Sequence, residues 1–203
     1  MEDSYEATGN RPAASDKTLP GLDLYWIPIG AGADVVRIRG TAVQLRAHSD
    51  IYHSALVATT SDANFIIEMT PIPGARRRQD RGVVSEGPVG SRRAPRLRIF
   101  RYEIRRWRNG VIPDISFAVA SPVRVTDDVG LVEQTLDLVP FVPTPVWGRD
   151  ELHAGGMWTC NSVVSWLLTR IGLVTAAGQP PGGGRAPGWA AGVTVARHSL
   201  STL

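Results

Sequence analysis

One cysteine stands among the 203 residues: Cys160, in "GGMWTCNSVVSWLLTRIG" (residues 155–172), where a glycine-broken loop runs into an amphipathic pattern. Val163, Val164, Leu167, Leu168 and Ile171 recur at helical spacing, and Gly172 stands where a helix C-terminal glycine belongs. The spacing predicts a helix with Cys160 in its first turn and Thr159 available as its cap. A thiol there meets the positive end of the helix dipole and unpaired backbone N–H groups. Both favour the thiolate, and the N–H groups can also stabilise an oxyanion forming beside it. The chemistry is nucleophilic attack on a carbonyl; the competing role is that of a small buried apolar residue.

A nucleophilic thiol needs a base, and four histidines are present. His48 falls in a polar loop, His153 in the glycine-broken loop and His198 near the end of the chain. His53 lies inside the β-branched run "IYHSALVA", sharing a strand face with Ile51, Ala55 and Val57. The run "NFIIEMT" follows across the turn-forming "TSDAN", which predicts a hairpin closed by Pro71 and Pro73. A loop at 60–63 pairs Thr59 with Asn64 and Ala55 with Glu68. Glu68 then sits diagonal to His53 on one face, with a Cβ separation of roughly 7–8 Å that a glutamate can span to hold the imidazole tautomer. A slip of one residue would send the two side chains to opposite faces.

Together, "YHSALV", "FIIEM" and "MWTCNSVVSWLL" resemble the permuted branch of the NlpC/P60 group of papain-like cysteine hydrolases, in which the histidine strand precedes the cysteine helix. Lecithin:retinol acyltransferase-like and bacterial amidase-like families belong to that branch. The resemblance implies an α+β fold, circularly permuted papain-like, with a mostly antiparallel sheet packed against a helix that carries the cysteine at its N-terminus. It also implies a mechanism: His53 removes the proton from Cys160, Glu68 orients His53, and the sulfur attacks an amide, ester or thioester carbonyl. Water, an amine or an alcohol resolves the resulting thioester. The Cys160 N–H and a further donor would form the oxyanion hole. Tyr52 and Ser54, flanking His53, and Trp158 and Thr159, preceding the sulfur, are the candidate oxyanion or substrate contacts. The partner is a small-molecule, lipid or peptide substrate, with no cofactor and no metal.

A chain of this length, 43% hydrophobic, can bury one substantial core, so residues 21–203 are expected to form a single domain after a polar, proline-dotted arm at 1–20. A lone cysteine forms no intrachain disulfide, no leader-like pattern opens the sequence, and no run approaches the ~18 apolar residues of a membrane helix. The expectation is a cytoplasmic protein without a membrane span. No C-x-x-C or H-x-x-x-H pair suggests zinc, and "GPVG" and "PGGGR" match no phosphate-binding spacing.

Arginine supplies 21 of the 22 basic residues, and twelve of these lie between Arg76 and Arg108, partly in a basic loop at 74–96. The rival function is a non-catalytic binding module: "RIFRYEIRRW" interleaves guanidinium groups with Phe100, Tyr102 and Trp107, as single-stranded nucleic acid would require. A net charge of only +3 and 7% aromatic content disfavour nucleic acid, leaving an acidic substrate or partner as what the arginines point to.

Several further elements follow from pattern. "LDLYWIPIG" and "DVVRIRGTAVQLRA" read as short strands, and "RLRIFRYEIRRW" as a strand whose alternation slips near Phe100. "ISFAVASPVRV" and the final "AAGVTVARHSL" also read as strands, the latter at a sheet edge, while "TDDVGLVEQTLDLV" reads as a helix capped by Thr126 or Asp127.

Overall fold

Period-2 alternation of apolar side chains gives this chain its sheet. The computed structural model describes residues 19–30, 36–38, 41–43, 50–72, 81–92 and 100–200. Its strands are β1 (Gly21–Pro28), β2 (Val36–Ile38), β3 (Thr41–Val43), β4 (Tyr52–Thr59), β5 (Asn64–Pro71), β6 (Val83–Pro88), β7 (Arg101–Arg108) and β8 (Val123–Thr126). Six form one sheet in the order β6-β7-β5-β4-β1-β8, every pairing antiparallel, while β2 and β3 form a separate two-stranded ladder. Three α-helices among the described residues complete an α+β architecture: α1 (Val129–Leu138), α2 (Cys160–Arg170) and α3 (Trp189–Leu200).

The two faces of the sheet are covered differently. Leu24, Leu56, Ile67, Met69 and Ile104 point to one face and pack against Val163, Val164 and Leu167 of α2 in the main core. Each such side chain contributes about 1.5–3 kcal/mol of burial. Ile27, Ala55 and Ile66 point the other way and are covered by Ile112, from the segment after β7. Helix α3 lies on α2, and the contact depends on Gly192, where a Cβ would come 2.2 Å from the Ser162 carbonyl oxygen.

The hairpin of β4 and β5 starts in the expected register, with Thr59 opposite Asn64, but its ladder ends at Leu56 opposite Ile67, so the expected Ala55–Glu68 pair is not part of it. Other expectations are corrected. Residues 189–200 form helix α3 and not an edge strand: the β-branched Val193, Thr194 and Val195 are outweighed by small residues, Ala191, Gly192 and Ala196, which bury one helical stripe. Of "ISFAVASPVRV" only the last three residues are strand, as the start of β8, after a 3₁₀ turn at Ile115–Phe117. Asp128, one residue beyond the expected caps, accepts from the Leu131 N–H at the start of α1. Within the basic loop expected at 74–96, the short segment "GVVSEG" (residues 82–87), which the pattern allows to pair, does so through β6, and the irregularity of the β6–β7 ladder lies between Val83 and Ser85, not at Phe100. The arm at 1–20 lies outside the described residues apart from 19 and 20, as do residues 73–80 and 93–99 of the arginine-rich window.

Candidate active site

Strand ladders that end at different places open the sheet. β4 pairs with β1 as far as Tyr52, and β5 pairs with β7 as far as Pro71, but the ladder between β4 and β5 stops at Leu56–Ile67. Below that pair the two strands part, and the N-terminus of α2 is fastened beside the opening. Asn161 is the fastener. Its Oδ1 accepts from Ser54 Oγ (2.8 Å), and its Nδ2 donates to the carbonyls of Tyr52 (2.9 Å) and Pro187 (3.0 Å). The residue after the cysteine thus grips both neighbours of His53.

Thr159 caps α2 as expected: its Oγ1 accepts from Asn161 N–H, and Ser162 Oγ accepts from Thr159 N–H, a reciprocal capping box. Gly188, in the left-handed region at φ +85°, lets the following loop close over this turn, where a Cβ would lie 2.4 Å from Thr159 Oγ1. Its carbonyl accepts from Ser162 Oγ at 2.7 Å.

The Cys160 sulfur therefore sits where β5 has left β4. The backbone N–H groups of Ser54, Asn161 and Cys160 are directed at it and favour the thiolate, but burial outweighs them and, with the Glu68 charge, pushes the thiol up to about 11. The expected helix-terminal thiolate is thus a protonated thiol, because the solvation lost at this depth exceeds what three N–H groups restore. Stability should report it. Below pH 9 the contribution of this group is complete; above it the unfolded chain loses the thiol proton while the folded chain keeps it. The contribution therefore falls by about 3 kcal/mol as pH rises from 9 to 11. Urea unfolding across that range should show a loss larger in the native chain than in Cys160→Ala by this amount, the phenols of Tyr25 and Tyr102, also raised by burial, contributing to both; equal losses would place the sulfur in water.

His53 comes from the other side. It faces away from α2, opposite Ile27 in β1 and beside Ala55, yet it lines the same cleft as Cys160 because the sheet is open between them. The cleft holds about 830 Å³ and is walled by Ile29, Met69, Trp107, Val111, Ile112 and Trp147. No hydrogen bond joins the sulfur to the imidazole. Burial lowers the His53 pKa below its ordinary value, against the opposing charge of Asp114, so the imidazole is neutral and able to accept a proton at neutral pH.

Glu68 shares the face and the cleft with His53, as the register requires, but its carboxylate is engaged elsewhere. Arg105, its partner in the β5–β7 ladder, donates from Nη1 to Glu68 Oε1 at 2.8 Å. Burial raises the Glu68 pKa, and Arg105 opposes the rise. Behind this pair Glu103, 1% exposed, accepts from Arg81 Nε (2.9 Å) and Nη2 (3.0 Å) and is also paired with Arg105.

The four candidate oxyanion or substrate side chains do not line the cleft. Tyr52 and Trp158 are in the main core, Ser54 Oγ is bound to Asn161, and Thr159 Oγ1 donates to the Pro187 carbonyl at 2.6 Å. The backbone N–H of Ser54, not its hydroxyl, is the group that reaches the sulfur.

No family model, no curated protein and no solved structure matches this chain. The geometry alone carries the functional argument. Among the described residues no helix is long and apolar enough to cross a membrane, and no cluster of three or more His, Cys, Asp or Glu side chains is placed to hold a metal.

The arginine-rich window does not present a free basic face among the described residues. Arg81 and Arg105 are held by Glu103, Arg101 by Glu86, Arg108 by Asp62 and Arg92 by Glu151, and Arg106 donates to the Leu136 carbonyl. Its aromatics do not share a face either: Tyr102 is in the main core, while Trp107 points to the opposite side of the sheet.

Two site residues escaped the sequence reading. Asn161 carried a weak signal, since asparagine inside a first helical turn is a poor helix former that asks for a partner. Asp114 carried none, because only the path of the chain after β7 brings it to the cleft.

Proposed function

We propose that this protein is a cysteine-dependent hydrolase or acyl-transfer enzyme that cleaves an ester, thioester or amide through a thioester on Cys160. The observation that carries this reading is that the sulfur and a neutral imidazole reach one cleft through a gap in the sheet, with backbone N–H groups already converging on the sulfur. The reaction starts from a neutral pair. His53 takes the thiol proton as the sulfur bonds to the carbonyl carbon, and the N–H groups of Ser54 and Cys160 are available to the oxygen as charge develops on it. Collapse breaks the bond to the leaving group, which receives the proton from His53. Water then attacks the thioester, again with His53 as base, or an amine or alcohol takes its place.

The walls favour an uncharged, apolar acyl portion over the acidic substrate suggested by arginine content, because the two cleft arginines are already paired with Glu68 and Glu103. Mixing the protein with p-nitrophenyl butyrate and with a p-nitrophenyl monoester of succinate tests both points by intact mass. The native chain should gain a butyryl mass on Cys160, with slower labelling by the succinyl ester and none in Cys160→Ala. Absence of any acyl adduct or turnover over a panel of esters, thioesters and amides would end the proposal.

A further inference from the structure

An imidazole that becomes an imidazolium inside a mostly apolar cleft needs a counter-charge, and Glu68 is bound to Arg105. The segment after β7 brings another carboxylate. Ile112, 2% exposed, packs with Ile27, Ala55 and Ile66, and Ile115 joins the same cluster. Ile27 is the cross-strand partner of His53, and Ala55 is its next neighbour on the same face. A tight turn, in which Ile115 N–H donates to the Ile112 carbonyl at 3.2 Å, keeps Asp114 between these two anchors. Asp114 lines the cleft, and its charge acts on the imidazole. The other ionisable groups facing the cleft are Glu68, Arg81, Arg105 and the thiol of Cys160.

We infer that Asp114 is the positioning residue of the site, stabilising the imidazolium that forms when His53 takes the proton of Cys160. This rests on the cysteine–histidine reading above and reassigns the third role from Glu68. In the step concerned, the proton moves from sulfur to the imidazole nitrogen and the sulfur electron pair forms the bond to the carbonyl carbon. The imidazolium is balanced by Asp114 until the leaving group receives the proton. Asp114 acts through the imidazole and not on the substrate.

Two readouts on the full chain test the inference. With Cys160→Ala as background, NMR titration of the His53 ring should move to lower pH in Asp114→Asn, stay near its original position in Asp114→Glu, and move less in Glu68→Gln than in Asp114→Asn. In the active chain, Asp114→Asn should lower kcat for p-nitrophenyl butyrate by about tenfold or more, with KM little changed and the acid limb of the pH profile displaced downward. A His53 titration indifferent to Asp114→Asn, or moved more by Glu68→Gln, would overturn the assignment even if Cys160 is acylated. If the titration responds to Asp114 but no acyl-enzyme forms, the charge pair stands and the enzymatic reading fails.

Discussion

Replacing His53 with alanine should cut kcat/KM for an activated ester by about 1,000-fold at pH 7, within the range ascribed to a positioned general base. The reason lies in the proton affinity of the sulfur. A thiol held at about 11 is ionised to roughly one part in ten thousand at pH 7, so almost no thiolate is available without a base. His53, whose pKa is lowered by burial, is unprotonated at neutral pH and can take the proton as the sulfur–carbon bond forms. The direct corollary is a change in the shape of the pH profile. Native activity should level off once the imidazole is neutral, whereas the His53→Ala rate should climb about tenfold per pH unit towards 11, as solvent ionises the thiol instead. Equal rates for the two proteins at pH 7 would remove His53 from the mechanism.

The largest effect on stability should come from Glu103→Ala, at about 3–5 kcal/mol in urea or guanidinium unfolding. Glu103 is almost wholly buried, receives two hydrogen bonds from Arg81 and is paired with Arg105, itself buried. Truncation leaves Arg105 with only Glu68 as its acidic partner, and the desolvation of its guanidinium is then under-compensated. Glu103→Gln keeps an acceptor oxygen and should lose less, about 1–3 kcal/mol. A loss below about 1 kcal/mol for the alanine variant would mean that water reaches Arg105 freely and that its pair with Glu103 behaves as an exposed one.

Local interactions were legible. The loop length of the β4–β5 hairpin and the alternation on both sides of it determine the register, because a slip of one residue would turn Phe65, Ile67 and Met69 out of the core. The start of α2 at Cys160 follows from capping by Thr159 and the glycines before it, again within a few residues. Where local preference and packing disagreed, packing prevailed: residues 189–200 carry a β-branched run but are helical because small side chains there admit close contact with α2.

The charge partners and proton affinities needed the assembled sheet. Glu68 has neighbours on both sides, and only one of them, β4, adjoins it in the hairpin; β7, arriving from more distant sequence, places Arg105 directly opposite while β4 turns away. The same parting of strands admits the sulfur from one face and the imidazole from the other, which no single-strand pattern encodes. Residue types, spacing and caps named a thiol at a helix start and a histidine on a strand. Whether that thiol is ionised, and which carboxylate faces that histidine, are set by burial and by long-range neighbours, and those exist only once the chain has folded.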